Sequence, residues 1–225
     1  MDRIGHTTAA LGKGFASGAA ILSTFALFFP LLLLTNIDLS VLLLMDTHLL
    51  TGILIGIILP FLFSGFLVKG LIKSILTMFK ETSRQFKEIP YLYEDKANPD
   101  IKKAADFNAC VALDSLIIPA IITLLFPISL GYIFGIKHLV GIVLGTILSG
   151  FSLSYYWANF GETMHHARKH IENGFFGGPK STTFRHISIV DNIGDGFKDL
   201  LSPSINILIK SVTIISILVI ILLTT

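Results

Sequence analysis

The chain contains 225 residues, of which 52% are hydrophobic and only 14% are charged, and its formal net charge is +2. Because a soluble domain carries about 25% charged residues, this composition excludes a disordered tail, a nucleic-acid-binding domain and a typical cytosolic enzyme. The mean hydropathy of +0.76 and the long apolar runs indicate a chain embedded in a lipid bilayer. We therefore expect lipid as a partner and no nucleic acid.

Five apolar stretches reach the length of about 20 residues that a helix needs to cross the hydrocarbon core of a membrane. In chain order they cover residues 15–34, 48–68, 111–134, 139–158 and 204–223. The sequence therefore predicts an all-α, polytopic membrane protein with five transmembrane helices, organised as a single membrane domain over residues 1–225. We also expect the helices to extend beyond the membrane on the cytoplasmic side.

The basic residues predict how the chain is oriented. With five spans, the amino-terminal segment and the loops at 73–109 and 159–203 lie on one side. Of the seventeen Lys and Arg residues, only Lys137 lies on the other side. Since Lys and Arg are retained on the cytoplasmic side, we expect a cytoplasmic amino terminus, an outer carboxyl terminus and a location in the cell (inner) membrane.

The loop at 73–109 mixes basic and acidic residues, and its first part has a helical pattern. Apolar residues recur there at spacings of roughly three and four, which is typical of an amphipathic helix: Ile72, Ile75, Leu76, Phe79 and Phe86. The second span is therefore predicted to continue beyond the membrane as a helix. We interpret this loop as scaffold.

The loop at 159–203 opens with a cluster of titratable residues: Glu162, His165, His166, Arg168, Lys169 and His170. The i, i+4 pair of His166 and His170 could hold a transition metal. Since the His-Glu-x-x-His pattern is absent, a hydrated or phosphate-facing basic helix is the favoured interpretation. Arg168 and Lys169 suit either anion contacts or ordinary cytoplasmic positive charge.

The same loop ends in a second cluster, Asp191, Asp195, Lys198 and Asp199. In a helix these positions share one face. Carboxylates grouped so closely repel one another unless a cation neutralises them, and Mg²⁺ is bound by a few carboxylates together with substrate phosphates. A solvated helix face with an internal ion pair is the alternative. The position at the mouth of the last span favours a functional site.

Several segments resemble the membrane-bound, ion-pumping inorganic pyrophosphatases. GHTTAALGKGFASGAA (5–20) is similar to the GNTTAAxGKGFAIGSA signature of that family, and ILPFLFSGFLVKG (58–70) and ETSRQF (81–86) are similar to its LPFLFSALTMKAVG and EVRRQF segments. ANFGETMHHARKHIE (158–172) resembles ANxGGAWDNAKKYIE, and VDNIGDGFKDLLSPSINILIK (190–210) resembles GDTVGDPFKDTxGPSLNxLIK. The matches follow one another in order along nearly the whole chain.

The resemblance implies hydrolysis of Mg²⁺-pyrophosphate coupled to proton or sodium translocation, usually in a homodimer. By matching position it implies roles in binding Mg²⁺ or pyrophosphate for Asp191, Asp195 and Asp199, and phosphate contacts for Lys169 and Lys198. It places Asn206 in the gate region. Members that do not need potassium carry a lysine in the place of Ala9, so Ala9 and Gly12 imply K⁺ as an activator.

The chain also departs from the family pattern. His165 stands where the family has a metal-binding aspartate, His166 where it has asparagine, and Gly196 where proline is usual. Members have about sixteen spans, and this chain resembles the last five. Two interpretations remain open. The chain is either the carboxyl-terminal part of a pyrophosphatase, as a fragment or as one product of a split gene that pairs with a separate amino-terminal chain, or a catalytically silent membrane remnant. In either case we expect the chain alone to be inactive.

Overall fold

The computed structural model describes residues 2–35, 46–94 and 96–224, and the side chains in these ranges apart from those of residues 2–10, 13 and 93. Within these ranges all regular elements are helical. The long helices are α1 (Asp2–Thr35), α2 (Thr47–Glu88), α3 (Ile101–Phe134), α4 (Ile136–Glu172), α5 (Thr182–Gly196) and α6 (Ser202–Thr224). A π-helical turn, Phe197–Leu201, joins α5 to α6, and 3₁₀ turns occupy Leu92–Glu94 and Phe175–Lys180.

Five helical stretches are long and apolar enough to cross a membrane, which confirms the predicted all-α membrane protein with five spans. Each predicted span lies within a longer helix, so the helices extend beyond their apolar parts. The second span continues to Glu88 as predicted. Its repeating apolar residues, such as Ile75 and Phe79, are largely exposed in this chain. The pattern therefore predicted the helix but not a buried face.

By its packing, the chain divides into two compact units, one of Met1–Ser64 with Ile122–Thr225 and one of Gly65–Ile121. The prediction of a single membrane domain stays a prediction. In the smaller unit, Gln85 donates to the backbone carbonyl of Asp100 (2.9 Å) and accepts from its amide (3.0 Å), which ties the end of α2 to the start of α3. Beside it, hydrogen bonds from Arg84 and Gln85 lower the pKa of the Glu81 carboxyl to about 2.

In the larger unit, α2 and α4 are in backbone contact through glycines. A Cβ atom at Gly52 would collide with the carbonyl oxygen of His138, and one at Gly141 would collide with that of Leu49. Thr146 donates a hydrogen bond to the carbonyl of Gly56 across the same contact (3.2 Å). Small residues allow membrane helices to approach this closely. In lipid, where the hydrophobic effect does not drive helices together, such close van der Waals packing stabilises their contact.

The contact between α4 and α6 combines apolar packing with a buried pair of hydroxyl groups. A Cβ at Gly150 would lie 2.8 Å from the Ile209 side chain, so α6 fits against the glycine surface of α4. Ser154 donates to the backbone carbonyl of Ser202 (3.0 Å), and the two hydroxyl oxygens are also 3.0 Å apart. The start of α6 is thereby fixed against the middle of α4, which positions the turn that precedes it.

Candidate cation and phosphate site

The candidate site begins with a close crossing of α4 and α5. A Cβ atom at Gly161 would lie 2.5 Å from the carbonyl oxygen of Gly194 and 2.6 Å from the Cβ of Lys198. Real Cβ atoms essentially never make such contacts, so only glycine fits there. The two helix backbones therefore touch, and side chains one turn away on each helix face one another.

A glycine-rich turn reverses the chain between the two helices. Gly174, Gly177 and Gly178 have φ angles of 104°, 95° and 69°, a region that glycine enters without steric cost. Phe176 shares this region with φ 51°. The Ser181 hydroxyl then accepts a hydrogen bond from the Phe184 amide (3.1 Å) and caps the start of α5. As a result, α5 runs back antiparallel along α4.

This arrangement brings three potential metal ligands together. His165, Asp191 and Asp195 each offer one ligand atom, and these atoms lie within 4.8 Å of one another. Asp191 is fully buried, His165 is 6% exposed, and the Asp195 side chain is 42% exposed. The site therefore has a closed inner side and an open outer side. It is the only such group of three His, Cys, Asp or Glu residues in the part of the chain that the structure describes.

One oxygen of the buried Asp191 carboxylate is neutralised by Arg168. Nη1 of Arg168 donates to Oδ2 at 2.9 Å. That hydrogen bond is the main reason why the pKa of Arg168, which lies beyond the apolar part of α4, is raised. Oδ1 accepts no hydrogen bond and lies 3.4 Å from Nδ1 of His165. A buried carboxylate oxygen without a donor is costly, and a bound cation would remove that cost.

Lys198 is held between two carboxylates. Its Nζ lies 2.8 Å from Oδ1 of Asp195 and 3.4 Å from Oε2 of Glu162. Burial of Lys198 opposes its charge, but the hydrogen bond to Asp195 and the charges of Asp195, Glu162 and Asp199 outweigh it, and the pKa is raised. Lys198 is therefore a charged ammonium group inside the protein, which suits a phosphate oxygen.

A cavity of about 260 Å³ adjoins this pair. Glu162 and Lys198 line one part of it, Tyr155 and Asn159 of α4 line another, and Ser17 of α1 faces them. The cavity thus combines one ammonium group, one carboxylate and neutral hydrogen-bonding groups. It provides space for a small charged ligand beside the acidic cluster.

The structure brings some of the predicted site residues together and separates others. Asp191, Asp195 and Lys198 lie in one cluster, as described above. Asp199 is exposed on the π-helical turn and is not a member of the ligand group of His165, Asp191 and Asp195. Lys169 is half-buried on α4 beside Arg168.

The remaining predicted positions lie in α1 and α6. Asn206 lines a small pocket between α1, α4 and α6, together with Thr24. Gly12 is exposed in α1, and a Cβ there would meet no heavy atom within 4 Å. The side chain of Ala9 lies outside the described residues. The roles assigned to all these positions stay predictions.

The sequence analysis singled out Glu162, Arg168 and His165 but did not predict their partners in the cluster. Glu162 pairs with Lys198, Arg168 pairs with Asp191, and His165 lies in the ligand group instead of merely marking a lost aspartate. The signal for these pairs was the glycine at 161 and the glycine at 194, which mark a backbone crossing.

The histidines that suggested a separate zinc pair are engaged elsewhere. The His170 ring stacks on Phe175, with ring centroids 3.9 Å apart. His166 is 74% exposed, and its Nε2 lies 3.6 Å from Oε1 of Glu162. These contacts account for both side chains without a metal.

The ligand group fits a divalent cation. Mg²⁺ is usually held by one or two carboxylates, with waters and substrate phosphates completing its shell. Asp191 and Asp195 can supply that part, and the unpaired Oδ1 of Asp191 is the oxygen that a cation would satisfy. The imidazole of His165 adds a nitrogen ligand, which transition metals such as Mn²⁺ and Zn²⁺ accept more readily than Mg²⁺ does.

Comparison with known proteins identifies relatives of the whole chain. The sequence model described as inorganic H⁺ pyrophosphatase matches residues 1–219. A putative K⁺-stimulated pyrophosphate-energized sodium pump of Clostridium tetani is 38% identical over 216 residues, which are 96% of this chain and 32% of that protein. A K⁺-stimulated pyrophosphate-energized sodium pump of Thermotoga maritima is 35% identical over 229 residues, with 97% of this chain and 32% of the pump covered.

A third relative differs in its ion and its potassium response. The K⁺-insensitive pyrophosphate-energized proton pump of Methanosarcina mazei is 34% identical over 218 residues, which are 97% of this chain and 32% of that pump. The chain therefore spans about a third of the length of the curated relatives it matches. Their names include both sodium and proton pumps.

Proposed function

The chain belongs to the inorganic H⁺ pyrophosphatase family, and on that premise we propose that its α4–α5 region forms part of the Mg²⁺-pyrophosphate site of an ion pump. The pump hydrolyses pyrophosphate and couples this reaction to the translocation of a proton or a sodium ion. The observation that carries the proposal is the buried Asp191 carboxylate, whose Oδ1 accepts no hydrogen bond, in a ligand group with His165 and Asp195.

The described side chains divide into cation ligands and phosphate contacts. Asp191 and Asp195 would hold Mg²⁺, which neutralises the charge of the diphosphate and polarises its phosphoryl oxygens when it is bound. Lys198, held in place by Asp195 and Glu162, would contact phosphate oxygens, with Lys169 nearby on α4. Arg168 holds Asp191 in position. Asp199 would join the cation site after a change at the π-helical turn.

The orientation and the location also follow from the proposal. The protein is an integral membrane protein with five spans. We place the ends of α4 and α5 that carry the acidic cluster in the cytoplasm, since nearly all basic residues share that side. The amino terminus is then cytoplasmic, the carboxyl terminus is outside, and the membrane is the cell (inner) membrane. Asn206, below the cluster in α6, lies on the route of the ion.

Potassium activation and assembly belong to the proposal as well. Ala9 and Gly12 favour a K⁺-stimulated pump, and the relatives include both K⁺-stimulated and K⁺-insensitive pumps. Replacing Ala9 with lysine should remove any effect of K⁺ on binding of the pyrophosphate analogue imidodiphosphate. Because the chain spans about a third of its relatives, we assign the activity to an assembly that includes it, either a homodimer or a complex with an amino-terminal chain.

A catalytically silent protein is the second candidate, and one observation favours it. Two protein cations, Arg168 and Lys198, already neutralise Asp191 and Asp195 at distances of 2.9 and 2.8 Å. Because protein cations already neutralise these carboxylates, their electrostatic attraction for Mg²⁺ is weaker. In this case the cluster would hold α4 and α5 together without binding pyrophosphate.

Binding of Mg²⁺-imidodiphosphate to the purified chain separates these candidates. Ligand at a hundred times its Kd stabilises a folded protein by about 2.7 kcal/mol, so the pump proposal predicts a clear rise in Tm. Asp191→Asn and Asp195→Asn should remove this rise, and Asp106→Asn, at an exposed carboxylate of α3, should keep it. No rise in the unmodified chain would show that the α4–α5 cluster does not bind Mg²⁺-imidodiphosphate by itself and would favour the silent protein.

Release of phosphate tests the activity itself. Membranes that contain only this chain should release no phosphate from Mg²⁺-pyrophosphate above background. Robust, K⁺-stimulated turnover by the chain alone would contradict this expectation and assign the complete reaction to these five helices.

A further inference from the structure

A second group of titratable side chains lies at the other end of α4. His138 is in the first turn of α4, whereas His165 is 27 residues further on, which corresponds to about 40 Å along a helix. His48 lies in the first turn of α2 and faces His138. This pair is therefore remote from the acidic cluster, and the proposed function does not use it.

The two imidazole rings are spaced as two ligands of one metal ion would be. Their centroids are 4.9 Å apart, and the ring planes are inclined by 64°. Two imidazoles bound to one tetrahedral ion at the usual metal–nitrogen distance of about 2.0–2.1 Å have centroids roughly 5 Å apart. The existing arrangement thus needs little movement to accept an ion.

The hydrogen bond of His138 leaves a nitrogen available for a metal. Its Nδ1 lies 2.9 Å from the backbone carbonyl oxygen of Phe134. Because a carbonyl can only accept, Nδ1 carries the proton and Nε2 of a neutral ring keeps its lone pair. Histidines that bind metals commonly donate their other ring N–H to a carbonyl in this way, which fixes the tautomer and the ring orientation.

The backbone holds the two histidines in place. Next to them, α2 and α4 touch at Gly52 and Gly141, where no side chain fits. Asp46 joins the same ends: its Oδ1 accepts from the His48 amide (2.8 Å) and its Oδ2 pairs with Nζ of Lys137 (2.7 Å). Both rings therefore stand on rigid, adjacent helix ends, and the positive charge of Lys137 is neutralised.

The space beside the histidines can hold an ion with its waters. A cavity of about 440 Å³ is lined by His48, His138, Lys137 and Tyr132, with Gly131 and Gly135 at its wall. Two imidazole nitrogens with water in the remaining positions suit Zn²⁺ and Cu²⁺, whereas Mg²⁺ and Ca²⁺ prefer oxygen ligands.

We propose that His48 and His138 form a binding site for a divalent transition-metal ion, with Zn²⁺ as the probe of choice. The ion would be held by one nitrogen of each ring and would join the ends of α2 and α4. In the orientation proposed above, this site faces the outside of the membrane. It stands on its own geometry and does not depend on pyrophosphate binding.

Zinc titration of the purified full chain carrying His165→Gln, which removes the nitrogen ligand of the α4–α5 group, against a chromophoric chelator measures the affinity of the histidine pair. His48→Gln and His138→Gln should each weaken Zn²⁺ binding by about tenfold or more, since each removes one of two protein ligands. His186→Gln, at an exposed histidine of α5, is the matched control and should leave binding within twofold. Equal affinities in the His165→Gln chain and in the same chain without His48 and His138 would overturn the proposal.

A second measurement needs no variant and so avoids any effect of the substitutions on folding. Diethyl pyrocarbonate modifies free imidazole nitrogens, and mass spectrometry reads the extent at each histidine. Zn²⁺ should slow the modification of both His48 and His138 by about tenfold or more, because coordination occupies the lone pairs. The modification rate of His186 should not change. Unchanged rates at His48 and His138 would show that the rings merely touch.

Discussion

Replacement of Gly161 with alanine tests the helix crossing on which the candidate site rests. The new Cβ would lie 2.6 Å from the Cβ of Lys198 and 2.5 Å from the carbonyl oxygen of Gly194. Because carbon atoms in good contact are about 3.5–4.0 Å apart, α4 and α5 must separate by about 1 Å. Overpacking of this kind costs about 1–3 kcal/mol.

Two terms of opposite sign decide the measured stability. Alanine in place of glycine favours the helix by about 1 kcal/mol, so the net loss in the free energy of unfolding is about 0–2 kcal/mol. The Tm shift with ligand should fall as well, because the separation moves Asp191 away from Arg168 and Lys198 away from Glu162. Gly161→Val, with a larger side chain, should increase both losses.

Denaturant unfolding in detergent and the Tm shift with Mg²⁺-imidodiphosphate measure the two effects separately. Gly65→Ala is the control, because a Cβ at that helical glycine meets no heavy atom within 4 Å. It should raise the free energy of unfolding by about 1 kcal/mol and leave the Tm shift with ligand unchanged. If Gly161→Ala and Gly161→Val unfold like the unmodified chain and keep its Tm shift, α4 and α5 are not in backbone contact at this point.

Three further predictions concern other contacts. Arg168→Gln should lower the free energy of unfolding by about 1–3 kcal/mol because it leaves Oδ2 of the buried Asp191 carboxylate without its donor, and adding Asp191→Asn should recover part of this loss in denaturant titrations. Gln85→Leu removes both hydrogen bonds to the Asp100 backbone, so limited proteolysis should cut the 89–100 connection faster, and an unchanged cutting rate would show that these bonds do not hold it. The pKa of Glu81 is about 2 in the folded chain, whereas its ordinary value is 4.5. Its contribution to stability is therefore complete above pH 4.5 and is lost as the pH falls towards 2. Between these pH values, the free energy of unfolding of Glu81→Gln should fall less than that of the unmodified chain.

The five spans could be predicted because hydrophobic length is a property of consecutive residues. The continuation of α2 to Glu88 was equally accessible, since the apolar residues keep a helical period there. The ends of the apolar stretches did not mark the ends of the helices. For example, α4 continues to Glu172 although its predicted span stopped at residue 158.

The pairings in the candidate site could not be predicted in the same way. Arg168 and Asp191 are 23 residues apart, and Glu162 and Lys198 are 36 residues apart. Their meeting depends on the turn at residues 174–178, which sets the antiparallel course of α5, and on the close approach at Gly161. A helical period predicts which residues share a face of one helix, but not which face of another helix lies opposite.

The π-helical turn at Phe197–Leu201 has a consequence for the whole rod from Thr182 to Thr224. A single wide turn shifts the angular phase of every residue beyond it relative to an uninterrupted α-helix. Asp191, before this turn, pairs with Arg168 of α4, and Ser202, after it, contacts Ser154 of the same helix. The parts of the rod before and after the turn can thus differ in rotation about the helix axis while both remain in contact with α4.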